Sequence, residues 1–370
     1  MNEVKKDKNY CSMPIVPERE FKADVNPNRR EIIIGIDKKW VNGTVLHYYF
    51  FDKETDGEYV VLNNGQREWK TWTTNEDEKD VVRNAFKQWK DLGIGIKFKE
   101  VATREEAEIR IGFMRGDGAW SYIGRDIIDL ELSKDERTMN FGWDLTPTPS
   151  KIDLDTAIHE IGHTLGFHHE HQNPKSGIVW DEEAVYAALA KPPNNWDRKR
   201  TYHNIIRKID PDKVQGSDWD PNSIMHYPFE AGLIIKPEQY QNGVNPAGGL
   251  SERDKLWVRT FYPPMDDADL EELPLLVSNK LPLNHGEQKD FIIKPNETRK
   301  YNISTFGTSD SVIVLFEKDI DEVLYVAGDD DSGEDHNANI NVELYKGKSY
   351  ILRVRVYYSE RQGEISVMYW

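Results

Sequence analysis

The sequence predicts an α+β chain: a mixed twisted sheet with a histidine-bearing helix and a closing helix, followed by a small all-β sandwich. Three observations carry this. Between residues 45 and 113, apolar spacing alternates between the period of a strand and that of a helix. Five of the ten histidines lie between 159 and 171, on and just beyond a predicted helix that ends at Gly166. From about residue 286 onward the alternation is that of strands alone.

Taken in order, residues 1–34 are polar and broken by Pro14, Pro17 and Pro27, which predicts an extended arm, inhibitory if it reaches a cleft. Ile32, Ile33 and Ile34 read as a strand, as do residues 45–51. Over 76–92, Val82, Ala85, Phe86, Trp89 and Leu92 fall on one helical face, and Gly93 stops the helix. Residues 94–101 and 107–113 alternate as strands. Asp153 or Asp155 can cap the next helix, which runs through Leu165 to Gly166. Ser251 can cap a closing helix that ends near Tyr262, before Pro263 and Pro264. Residues 35–264 are therefore expected to form one domain. The acidic, proline-bracketed stretch 265–283 reads as a linker and 284–370 as a sandwich of short strands.

At 370 residues the chain has room for two or three domains and a sizeable core. Hydrophobic residues at 38% and aromatics at 11% exclude a disordered chain, and the apolar runs are far too short to span a bilayer. The 65 acidic residues outnumber the 48 basic ones, for a net charge of −17, which disfavours nucleic acid and anionic membrane as partners. The single cysteine, Cys11, excludes a disulfide framework. The first twenty residues contain no apolar core of a signal peptide.

The chemistry concentrates in HEIGHTLGFHHE, residues 159–170. His159 and His163, four apart on a helix, project from one face and can share one ion. Gly166 can adopt a left-handed conformation, end the helix and turn the chain so that His169 arrives from the side. Three imidazoles favour Zn2+ over Mg2+ or Ca2+ and leave a fourth position for water, the pattern of the metzincin signature. Glu160, beside His159, is placed to act as general base toward that water. His168 and His171 read as supporting or exposed groups. Downstream lies Ser223-Ile224-Met225-His226-Tyr227, which resembles the methionine-containing turn that in metzincins runs beneath the metal.

Together these residues resemble the astacin family of zinc endopeptidases. HEIGHTLGFHHE is similar to its zinc-binding stretch and SIMHY, residues 223–227, to its methionine turn. Residues 119–125 resemble the segment before the zinc helix, and residues 250–254 with 261–263 the closing helix. The resemblance covers roughly residues 35–264 and is closest to bacterial members. It implies a metzincin-like fold and zinc-dependent hydrolysis of internal peptide bonds in a protein or peptide substrate. It also implies His159, His163 and His169 as ligands, Glu160 as base, and Tyr227 as a catalytic group and movable fifth ligand. The chain departs from animal members at residues 170–174, which lack their Arg-x-Asp pattern, and in having no disulfide. Residues 284–370 resemble the bacterial pre-peptidase C-terminal domain at 307–310, 329–333 and 350–355. There Asp329, Asp330 and Asp331 offer oxygen ligands for Ca2+, the alternative being a solvated acidic turn.

Two readings of Cys11 stand side by side: a free thiol in a mobile arm, or a latency ligand that displaces water from the metal. Three functions are weighed: an endopeptidase, a catalytically silent zinc-containing binding or adhesion protein, and a different zinc hydrolase such as a deacetylase, against which the histidine helix and the methionine turn argue. The family resemblance implies a secreted protein, a cytoplasmic one being the alternative, and a monomer is expected.

Overall fold

The computed structural model describes residues 10–16, 38–40, 42–62, 64–130, 132–145, 151–210, 218–265, 270–283, 287–309, 311–318, 323–329, 332–333, 337–356 and 365–370. The chain divides into two units, Met1–Trp40 with Leu46–Arg259, and Val41–Val45 with Thr260–Trp370.

In the first unit, strands β1 (Val45–Phe50), β2 (Gly57–Val61) and β3 (Arg67–Thr71) precede helix α1 (Glu76–Lys90). Strands β4 (Lys97–Glu100), β5 (Ile109–Gly112) and β6 (Trp120–Ser121), helix α2 (Asp126–Asp129) and strand β7 (Met139–Asn140) follow. Five of these strands form one sheet in the order β4-β1-β5-β7-β6, while β2 and β3 pair as a separate hairpin. The pairs β1–β5 and β5–β7 are parallel and β6–β7 is antiparallel, so β6 ends the sheet as an edge. An edge strand presents backbone groups to any extended chain laid beside it.

The α1 helix forms as its spacing predicts. Asn75 caps it by accepting from the Glu78 N–H, acidic residues fill its first turn, and Val82, Ala85, Phe86 and Trp89 are buried. Trp89 ties this helix to α3 (Lys151–Thr164), because its indole N–H donates to the Ile158 carbonyl at 3.0 Å. Its ring also stacks on Phe167 at 5.9 Å. Helix α3 starts earlier than expected, so Asp153 lies in its first turn and not at a cap. An acidic residue there complements the helix dipole. Asp155 instead accepts from the Gly249 N–H at 3.0 Å. The chain continues with β8 (Val179–Trp180), α4 (Glu182–Leu189), α5 (Arg198–Thr201), β9 (Ile234–Lys236) and α6 (Glu252–Phe261). The strand expected at Ile32, Ile33 and Ile34 lies outside the described residues. No helix among the described residues is long and apolar enough to cross a membrane.

The second unit is the expected sandwich. Its strands are β10 (Glu271–Glu272), β11 (Asn279–Leu281), β12 (Gln288–Ile293), β13 (Arg299–Gly307), β14 (Ser311–Lys318), β15 (Val323–Asp329), β16 (Asn339–Leu344), β17 (Ser349–Val356) and β18 (Ile365–Tyr369). They make two sheets, β10-β12-β17-β14-β15 and β11-β18-β13-β16, around a core that includes Phe291, Tyr301, Leu315, Leu352 and Val367. The linker expected at 265–283 is a correction. Within it, β10 pairs with β12 and β11 with β18, and Leu273 and Leu281 are buried in the sandwich core. The boundary also falls at Thr260, ahead of Pro264, and the unit recruits Val41–Val45. There the Asn42 amide donates to the Pro263 carbonyl at 2.9 Å, and buried Arg353 donates to the Asn42 carbonyl while pairing with Asp290. Among the described residues nothing supports the Ca2+ expectation. The Asp329 carboxylate closes a turn by accepting from the Ser332 and Asn339 N–H groups, and Asp330 and Asp331 lie outside the described residues.

Replacing Trp89 by Ala removes the buried contact behind α3 and one hydrogen bond. We expect Trp89→Ala to lower unfolding stability by about 3–5 kcal/mol in urea denaturation, whereas a loss below about 1 kcal/mol would show that α1 does not support α3.

Candidate metal centre

The centre is built where α3 stops. Gly166 has a φ of +93°, the left-handed region that glycine occupies without a Cβ penalty. Its N–H donates to the His163 carbonyl at 2.8 Å, and the Phe167 N–H donates to the Gly162 carbonyl at 3.1 Å. The reversal brings His169 back against the helix, with its Nε2 3.1 Å from Nε2 of His163. Two rings are fixed from behind. Nδ1 of His159 donates to the Ile224 carbonyl at 2.7 Å, and Nδ1 of His163 donates to the Phe167 carbonyl at 2.7 Å. With the proton on Nδ1, Nε2 keeps its lone pair. Burial lowers the pKa of all three rings, to about 4 for His159, so each is a neutral ligand at neutral pH. The Nε2 atom of His159 is buried and has no protein partner. A buried unpartnered lone pair beside two that face each other is a donor set that a cation satisfies, and its nitrogen ligands suit Zn2+.

The arm brings a fourth candidate ligand atom to the three imidazoles. Cys11, His159, His163 and His169 each bring one ligand atom to within 4.8 Å of the others, and all four are buried. The Cys11 thiol also donates to Oε2 of Glu160 at 3.4 Å, while Oε1 of Glu160 is buried without a partner. Burial pushes the Glu160 carboxyl up to about 8 and the Cys11 thiol well up; a divalent cation in the site acts on both in the opposite sense. The Tyr227 hydroxyl donates to the Cys11 carbonyl at 2.8 Å and lies against Nε2 of His169. The arm is extended here: the Ser12 N–H donates to the Ala119 carbonyl at 2.9 Å, at the head of edge strand β6. All six residues singled out in the sequence, His159, Glu160, His163, His169, Tyr227 and Cys11, thus meet in one place. His168 is half-buried, and His171 is a buried support whose Nε2 donates to the Asn204 carbonyl at 2.9 Å.

The methionine turn lies against α3 through a glycine. A Cβ added at Gly162 would stand 2.5 Å from Sδ of Met225, so a larger residue between the two helical histidines would displace the methionine side chain. The turn itself hangs on Asp254, a residue the sequence reading passed over. Its carboxylate accepts from Ser223 Oγ at 2.6 Å, from the Ile224 N–H at 2.8 Å and from the Ser251 N–H at 2.8 Å. Asp254 thereby holds the residue whose carbonyl orients His159. The signal was present. The Asp254 N–H donates back to Ser251 Oγ at 3.0 Å, a capping box with aspartate as its acid. Glu170 braces the other side, accepting from the Asp220 N–H at 2.9 Å while its own N–H donates to the Met225 carbonyl at 2.9 Å.

Comparison with known proteins agrees with this geometry. The family model described as Astacin, a peptidase family, matches residues 70–233, which include the three histidines, Glu160 and the methionine turn. The chain is similar to zinc metalloproteinase nas-8 of Steinernema carpocapsae, 26% identical over 256 residues that cover 66% of this chain and 50% of that protein. It is similar also to bone morphogenetic protein 1 of Xenopus laevis, 31% identical over 202 residues, which cover 50% of this chain and 24% of that protein. The chain thus spans half or less of the length of these curated relatives. Among solved structures, that of myroilysin superposes with a TM-score of 0.51 at 30% identity, covering 62% of this chain and 97% of that chain.

Because Asp254 fixes the carbonyl behind His159, Asp254→Ala should weaken zinc binding by about 10–100-fold in competition with a chromophoric chelator. Zinc retention equal to wild type would make Asp254 a helix cap and nothing more.

Proposed function

Because the chain belongs to the astacin family of peptidases, we propose that it is a zinc-dependent endopeptidase held latent by Cys11. One observation carries both halves. A thiol stands among three neutral imidazoles and touches a buried carboxylate, in the place where a nucleophilic water would have to stand.

In this reading His159, His163 and His169 hold the ion, which when bound supplies a Lewis acid that acidifies water and polarises the scissile carbonyl. Glu160 takes the proton of the attacking water and delivers it to the leaving amine. Tyr227, freed from the Cys11 carbonyl when the arm leaves, donates to the developing oxyanion. Edge strand β6 aligns an extended substrate by the backbone acceptor that now receives Ser12. A thiolate is a stronger ligand than water, so Cys11 in the fourth position excludes the nucleophile, and departure of the arm restores it. The catalytically silent alternative has less support, since Glu160 and Tyr227 have no evident use in a purely structural zinc site. Action outside the cell, on protein substrates, belongs to the same reading by family resemblance.

Glu160→Gln should keep its zinc and lose on the order of 10²-fold or more of its peptidase activity, because an amide cannot accept the proton. Equal turnover by the variant and wild type would remove Glu160 from the mechanism. Cys11→Ala in the full chain should raise activity toward a short fluorogenic peptide. An intact wild-type chain that is already fully active, with a freely titratable thiol, would contradict latency.

A further inference from the structure

Beside the metal centre lies a pocket that the arm fills with one side chain. Tyr10 is buried, its ring centroid 5.2 Å from Tyr227, 5.8 Å from Phe229 and 6.3 Å from Trp196. Its hydroxyl donates to the Pro228 carbonyl at 2.9 Å, and its backbone N–H donates to Oδ1 of Asn194 at 3.1 Å. Tyr227 is therefore a shared wall, with Tyr10 on one side and His159 and His169 on the other, at ring distances of 5.6 and 4.5 Å.

The walls do not depend on the arm for their placement. The Trp196 N–H donates to the Leu189 carbonyl at 2.9 Å, and Phe229 exchanges two backbone hydrogen bonds with Val244, at 2.8 and 3.0 Å. Phe229 also packs edge-on against Trp180 at 4.8 Å. Departure of the arm thus uncovers a preformed aromatic slot with one backbone acceptor at its end. Such a slot matches a flat ring bearing a para hydroxyl. The neighbouring arm residue is held in the same manner: Ser12 receives a hydrogen bond from Nε of Arg200 at 2.5 Å and donates its N–H to Ala119. The arm therefore lies as an extended peptide across the centre, with Tyr10 seated one residue from the group that occupies the fourth ligand position.

We propose that this pocket is the specificity subsite of the enzyme, and that it selects a tyrosine or phenylalanine side chain next to the scissile bond. The inference rests on the endopeptidase reading and deepens it: the substrate class is polypeptide with an aromatic residue flanking the cleaved bond. In the latent chain Tyr10 acts as the resident substitute for that side chain.

The test opens the pocket in the full chain with Tyr10→Ala and Cys11→Ala together, zinc loaded, its fold checked by circular dichroism and zinc content. A positional-scanning peptide library is digested and the products sequenced. Tyr and Phe should be favoured over Ala by on the order of tenfold to a hundredfold at one position adjoining the cut. Adding Trp196→Leu should lower the Tyr-to-Ala ratio several-fold. Cleavage with no aromatic preference at any adjoining position overturns the proposal. A chain that holds zinc and cleaves nothing overturns the endopeptidase reading instead, and binding then decides the pocket. The probe is a fluorescent peptide of residues 9–16 with alanine at the cysteine position, read by anisotropy against the same peptide with alanine also at the tyrosine position. Tighter binding of the tyrosine peptide supports the subsite and equal binding overturns it. Should the double variant fail to fold, the same two peptides compete against turnover by the Cys11→Ala chain, with the same pair of outcomes.

Discussion

Three uncharged imidazoles have no reason to converge in a buried place unless their lone pairs share a cation, so the rings must be held there from behind. Much of the first unit answers to that constraint. Trp89 presses α1 against α3, and Gly166 turns the chain so that His169 faces the helix it has just left. Ile224 and Phe167 each offer a carbonyl that fixes a proton on the far nitrogen of a ring. Asp254 in turn fixes the turn that carries Ile224. Each link is a hydrogen bond made out of water, where an unmet partner costs about 1–3 kcal/mol, and the chain of links makes the ring positions unique.

The arm exploits the same convergence. Its hold does not come from Cys11 alone. Tyr10 fills an aromatic slot, Ser12 pairs with the edge of the sheet and with Arg200, and the Cys11 carbonyl engages Tyr227. The thiol is thus delivered by contacts on either side of it, which lowers the entropic cost of placing a single ligand atom. In the proposed latent state the arrangement blocks three things at once: the fourth ligand position, the Tyr227 hydroxyl and the neighbouring pocket.

The histidine helix, its base, Tyr227 and the turn at Gly166 were legible because each rests on short-range spacing that the backbone enforces locally. The sandwich was legible from its alternation. What the sequence hid was long-range. Leu273 and Leu281 sit in or beside edge strands of two and three residues, too short for a period to show among prolines and acids, so a pair of short edge strands of the sandwich read as a linker. Asp254 is an ordinary helix-capping acid until the methionine turn folds onto it. The walls around Tyr10 come from separate stretches of chain whose meeting no local pattern announces. Cys11 was ambiguous for the same reason: a lone cysteine in a polar arm becomes a ligand only through its neighbours.

We propose that the intact chain holds zinc through His159, His163 and His169 with the Cys11 thiolate as the fourth ligand. Zinc K-edge X-ray absorption on the full-length, zinc-loaded protein tests it most directly. One sulfur scatterer at about 2.3 Å is expected beside nitrogen scatterers at about 2.0–2.1 Å. A shell of nitrogen and oxygen alone, unchanged by Cys11→Ala, would contradict it.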